Sequence, residues 1–127
     1  MKLYHGSPKK LKVLKPIQAK GINEFENQKA IFLCKTFDHA VLYAIGKNLK
    51  GKNVFLVKPN KLVIVGSPKL SFGYVYEVNV SANKGSREQY CYNKEIRDFK
   101  IDKVYPKNYL DKIIFVKTKE ELLKYLK

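Results

Sequence analysis

Apolar residues in this chain gather in short runs, and their spacing changes along it. Residues 2–4 predict a very short opening strand. Leu11, Val13 and Leu14 form a second brief apolar patch, ended by Pro16. Residues 17–29 are polar, contain Gly21 and follow neither a helical nor a strand period, which predicts a loop long enough to serve as a lid. Residues 30–34 read as a strand. Thr36 can cap a helix starting near Phe37, with Phe37, Ala40, Val41 and Ala44 on one face at steps of three and four. The stretch from Gly46 to Gly51 ends it.

Residues 54–57, 62–65 and 74–80 predict strands, the last with Tyr74, Tyr76, Val78 and Val80 on one side. Residues 83–87 read as a loop, 89–92 as a strand, 96–104 as a further extended region and 113–116 as a late strand. Thr118-Lys119-Glu120-Glu121 is a capping-box pattern opening a terminal helix that buries Leu122, Leu123 and Leu126. Many short strands with only two helices predict an α+β domain with mainly antiparallel sheets, not a doubly wound fold.

Composition narrows this picture. The 127 residues, 45% hydrophobic and 29% charged, fit one globular domain, 1–127, that buries roughly two-thirds of its unfolded surface. No apolar run approaches the ~18–20 residues of a membrane span, and the N-terminus has no secretory pattern, so a cytoplasmic protein without a membrane partner is expected. Cys34 and Cys91 fall in no metal-binding spacing and read as two free thiols. The net charge of +15 points toward an acidic partner. It comes almost wholly from lysine, with only Arg87 and Arg97 as arginines, so a solvated lysine-rich surface explains most of it.

Three segments could carry chemistry. In Tyr4-His5-Gly6-Ser7 an imidazole able to bond a hydroxyl precedes a glycine whose backbone can approach a flat ligand closely. Phe32 and Tyr43 sit on a strand and the helix after it, where two rings can clamp a planar heterocycle. Taken alone, a pair of core aromatics is the commoner arrangement. Arg87-Glu88-Gln89-Tyr90-Cys91-Tyr92 is a polar entry into an aromatic strand, able to offer a carboxylate or amide to sugar hydroxyls.

Together and in this order the three segments resemble the ADP-ribosyltransferase superfamily, in the branch with a histidine-tyrosine-glutamate signature shared by diphtheria toxin and the poly-ADP-ribose polymerases. Tyr4-His5-Gly6-Ser7 is similar to the first motif. Ala30-Ile31-Phe32 with Ala40-Val41-Leu42-Tyr43 is similar to the second, with the same eleven-residue step between aromatics. Glu88-Gln89-Tyr90-Cys91-Tyr92 is similar to the third. The likeness runs from residue 2 to about residue 104.

The resemblance implies a compact fold of two mainly antiparallel sheets around an NAD cleft. It implies that His5, Gly6 and Ser7 line the NAD site, His5 bonding a ribose hydroxyl and Gly6 the nicotinamide carboxamide through its backbone. Tyr43 would stack on the nicotinamide ring with Phe32 as the opposite wall. Gln89, or its neighbour Glu88, would bond the 2′-hydroxyl of the nicotinamide ribose. Nicotinamide leaves as a stable neutral molecule, so such a site supplies orientation and electrostatic support to an oxocarbenium-like transition state. The implied activity is transfer of ADP-ribose from NAD, the substrate, to an acceptor or to water, with no metal. The acceptor stays open among protein, nucleic acid and small molecule, and the positive surface favours an acidic macromolecule. The size suits an intracellular toxin-like modifier, for which an antitoxin would be a partner.

The chain departs from the branch at two positions. Gln89 offers hydrogen bonds but no negative charge, and Glu88 would point to the opposite face of the same strand. Ala40 stands where the polymerases carry serine. A silent NAD-, ADP-ribose- or nucleotide-binding module is therefore the second reading, and a basic nucleic-acid-binding domain with accidental motifs the third. Glu95 reads as a solvated loop charge and His39 as a surface histidine. Cys34 reads as a buried structural thiol. Ser7 lacks the relay of a serine hydrolase.

Overall fold

The computed structural model describes residues 1–18, 29–49, 55–58, 60–85 and 89–126. The first six strands are β1 (Lys2–Ser7), β2 (Ile17–Gln18), β3 (Lys29–Cys34), β4 (Phe55–Lys58), β5 (Lys61–Val65) and β6 (Gly73–Asn79). The others are β7 (Asn83–Lys84), β8 (Gln89–Tyr92), β9 (Lys100–Val104) and β10 (Ile113–Val116). The helices are α1 (Phe37–Lys47) and α2 (Lys119–Leu123), with short 3-10 turns at Pro106–Asn108, Leu110–Lys112 and Lys124–Leu126. This is an α+β architecture with two sheets.

The large sheet is antiparallel, in the order β7-β8-β3-β1-β6-β9, with β2 paired to the start of β3. Alternation gives it two apolar faces. Leu3, Ile31, Leu33, Tyr76, Val78 and Tyr90 pack on one side with Leu14 and Ile96. Leu14 and Ile96 exchange two backbone bonds of 2.9 Å, anchoring the apolar patch before Pro16. The other side takes α1, which packs chiefly on β1 and β6.

Small residues let that helix come close. A Cβ at Gly6 would collide with the Ala40 carbonyl and stand 2.8 Å from Ala44 N, and one at Gly73 would stand 2.8 Å from Ala44 Cβ. Thr36 caps the helix start, its Oγ1 accepting from His39 N at 3.3 Å. At the far end Asn48 donates through Nδ2 to Phe72 O at 2.8 Å, tying α1 to the approach of β6.

The second sheet runs β10-β5-β4 and is mixed, because β10 lies parallel to β5. One face of β5 sends Leu62 and Ile64 into the core around α1, and the other packs Val63 with Val116 and Leu122. The Thr118 cap forms as its sequence indicates, Oγ1 accepting from Glu121 N at 3.2 Å.

Several expectations change. β1 runs on through His5, Gly6 and Ser7, because Gly6 and Ser7 pair with Val75 and Tyr74. The two ends of the expected 17–29 loop pair as Ile17↔Ala30 and Gln18↔Lys29, while its middle, the candidate lid, lies outside the described residues. Asn83 and Lys84 form a two-residue edge strand instead of a loop, paired with Cys91 and Tyr90. Leu122 is buried but Leu123 is 45% exposed, since a helix this short turns one leucine inward; the Leu126 side chain lies outside the described residues. No described helix is long and apolar enough to cross a membrane.

Candidate functional site around the β1–β3 gap

The centre of the large sheet has a gap. Described pairing between β1 and β3 is confined to Tyr4↔Cys34. Continuing that register would set Gly6 opposite Phe32, but side chains bond there instead. His5 Nδ1 donates to the Phe32 carbonyl at 2.8 Å. The Lys47 ammonium donates to the Gly6 carbonyl at 3.4 Å. The same ammonium lies 5.7 Å from the centre of the Tyr43 ring.

His5 is half-buried, and its pKa falls from 6.5 to about 3. Burial is the main cause, the Lys47 charge adds to it, and the bond to Phe32 opposes it only in part. The imidazole is therefore neutral at ordinary pH. With its proton on Nδ1, the lone pair sits on Nε2, ready to accept from a hydroxyl. Burial likewise pushes the Cys34 thiol up to about 12, with Lys47 pulling the other way. Such a thiol is no nucleophile at neutral pH.

Alternation across the ladders places the remaining candidates. Phe32, Cys34 and Gln89 project to the α1 side, since Cys34 belongs to the helix-side core and pairs directly with Gln89, while Phe32 pairs with Cys91. Gln89 is 7% exposed and lies two strands from β1, roughly 10 Å at the usual spacing. His5 belongs to the opposite alternation and turns into the gap, its ring 6.1 Å from that of Tyr76. Lys47 thus joins the Gly6 carbonyl to the Tyr43 ring on the helix side, while His5 bonds the Phe32 carbonyl from the opposite alternation. Gln89 stands beside Cys34 on the helix side. Glu88, the other candidate for the third motif, lies outside the described residues.

Some residues have local roles. The missing Cβ of Gly6 serves the close approach of α1. Ser7 Oγ accepts from Lys9 N at 3.2 Å, turning the chain out of β1. The Tyr76 hydroxyl then pins that turn, donating to Lys9 O at 2.8 Å and accepting from Leu11 N at 2.6 Å. Ala40 is fully buried against β1. His39 is not at the surface: it is 2% exposed, with its ring 5.2 Å from that of Tyr43. Glu95 is exposed and pairs with Arg97 at 3.0 Å.

Lys47 is the site residue that sequence reasoning missed. Its signal was present: His39, Tyr43 and Lys47 recur every four residues and so share a stripe of α1. Two shallow cavities of about 200 and 210 Å³ lie elsewhere, one lined by Ser81, Asn83, Cys91, Tyr92, Asn93 and Lys94, the other by Lys2, Glu77 and Asp98 with their neighbours. Neither includes His5, Gly6, Tyr43 or Gln89. Among the described residues no cluster of metal-ligand type occurs. No protein-family model, curated protein or solved structure matches the chain.

Proposed function

We propose that this protein is an ADP-ribosyltransferase-like enzyme that binds NAD across the β1–β3 gap, cleaves the nicotinamide–ribose bond and transfers ADP-ribose to an acceptor or to water. The observation that carries the reading is the neutral, Nδ1-protonated His5 next to Gly6, whose carbonyl takes a bond from the Lys47 ammonium that also lies 5.7 Å from the Tyr43 ring. One hydrogen-bond acceptor, one backbone carbonyl and one aromatic face are the groups a nicotinamide riboside needs for orientation. On this reading His5 Nε2 accepts from a ribose hydroxyl and Tyr43 stacks on the nicotinamide ring. Gln89 reaches the ribose 2′-hydroxyl from β8, across roughly two strand spacings. Orientation lowers the barrier by fixing the breaking bond, while hydrogen bonds to the ribose support the developing positive charge.

A second reading has its own observation. Gln89, the buried side chain that pairs with Cys34 on the far side of β3, is an amide, which supplies hydrogen bonds without negative charge. A protein built so could bind NAD or ADP-ribose and do no chemistry. Incubation with NAD, with nicotinamide followed by mass spectrometry, separates the two. Release that drops at least about tenfold in Tyr43→Ala and in His5→Ala supports the enzyme. Calorimetric binding of NAD without release supports the module, and no binding at all overturns both.

A further inference from the structure

We propose that the aromatic and lysine cluster at the β6–β9 end of the large sheet is a binding surface for single-stranded nucleic acid. It uses none of the residues of the β1–β3 gap, and it stands or falls separately from the NAD reading.

Two large rings are left in solvent there. Phe72, just before β6, is 39% exposed and Tyr105, just after β9, is 40% exposed. Their ring centres lie 6.3 Å apart at 52°, and Tyr74 stands edge-on to Phe72 at 5.9 Å. Cations are interleaved with them. Lys103 Nζ sits 4.0 Å from the centre of the Phe72 ring and 5.4 Å from that of Tyr105, and Lys107 Nζ lies 5.8 Å from Tyr105. The register aligns Ser7, Tyr74 and Lys103 in one row across β1, β6 and β9. The exposed Lys9 and Lys10 follow on the turn pinned over the same face by Tyr76. Asp102, the acid next to Lys103, points to the other face by strand alternation.

This combination selects its occupant. An acidic peptide would use the lysines but leave the rings without purpose, and a duplex hides the faces of its bases. A single strand offers both a phosphate chain for the ammonium groups and bare base faces for the rings. The +15 charge of the chain adds long-range attraction for a polyanion. Because the rings stack on any base, the surface reads little sequence.

The test is fluorescence anisotropy of the full chain with labelled twelve-nucleotide oligo(dT), oligo(U) and a duplex of the same length. Single strands are expected to bind more tightly than the duplex at matched salt, and the DNA and RNA arms identify the preferred sugar. Each stacked base accounts for a factor of roughly five to a hundred in affinity, so Phe72→Ala with Tyr105→Ala should weaken single-strand binding at least tenfold. Phe72→Tyr with Tyr105→Phe should retain it. Lys103→Gln, which removes charge and no ring, should lower the salt slope by about 0.7. Lys117→Gln with Lys119→Gln, beside the other sheet, should leave the aromatic contribution unchanged. The proposal is overturned if the Phe72→Ala, Tyr105→Ala protein binds single strands as wild type does. It is overturned equally if duplex binds as well as single strand, or if nothing binds at low salt.

Discussion

At the scale of the residue, His5 combines a legible identity with an environment that no neighbour in sequence reveals. That a histidine before glycine can accept from a hydroxyl follows from residue chemistry. Its tautomer follows only from Phe32, twenty-seven residues away, whose carbonyl takes the Nδ1 proton. Its depressed pKa follows from burial and from Lys47, brought in by a helix. The sign of the resulting pH effect is fixed. The unfolded chain protonates His5 near 6.5, whereas the folded chain resists protonation until about 3, so between those values the unfolded state binds more protons. Stability from this group is fully present above pH 6.5 and is lost as the pH falls toward 3. We expect the urea midpoint of wild type to drop more steeply between pH 7 and pH 4 than that of His5→Gln, which lacks the titrating group. Equal slopes in the two proteins would refute the assignment.

At the scale of the element, local pattern located most segments. Caps at Thr36 and Thr118 marked both helix starts, because side-chain oxygens satisfy backbone donors within a single turn. The Tyr74, Tyr76 and Val78 alternation marked β6, because a sheet face buries every second residue. Non-local pairing decided the rest. His-Gly-Ser has little strand propensity of its own, and β1 continues through it because β6 supplies partners. The parallel β10–β5 pair likewise depends on contacts fifty residues apart in the chain. His39 and Lys47 look like solvated polar positions until α1 is laid on the sheet.

The α1 packing makes its own prediction. Gly6 and Gly73 on adjacent strands meet Ala40 and Ala44, so the helix rests on backbone as much as on side chains. Gly6→Ala puts a methyl group against helix backbone, which cannot turn aside as a flexible side chain could. We expect a loss of roughly 1–3 kcal/mol or more in urea unfolding. Ser7→Ala, which loses one half-buried hydrogen bond, should cost only about 1 kcal/mol. If Gly6→Ala were as stable as wild type, the close approach of α1 would be wrong, and with it the placement of Tyr43 and Lys47 beside the gap.

At the scale of the whole molecule, charge is the dominant unbalanced quantity, and two electrostatic effects compete with opposite signs. Described ion pairs at the surface, each with at least one partner open to solvent, are Lys2 with Glu77 at 4.0 Å, Arg97 with Glu95 at 3.0 Å and Lys112 with Asp38 at 3.8 Å, and they weaken as salt is added. Each is worth at most about 1 kcal/mol. Against them stands the mutual repulsion of a chain at +15, which folding compresses and salt relieves. Screening shortens the reach of charge from roughly 30 Å at 0.01 M to roughly 8 Å at 0.15 M, so the long-range repulsion between lysines on different faces goes first. The repulsive term should win. We therefore expect the thermal midpoint to rise between about 10 and 150 mM sodium chloride, and calorimetry at fixed pH measures it. A polyanion that docks on one face should raise the midpoint further at low salt, and more in wild type than in the Phe72→Ala, Tyr105→Ala protein. A midpoint that falls with added salt would mean that the ion pairs outweigh the repulsion, and that the lysines are arranged closely enough to acids to cancel the field that the surface otherwise presents.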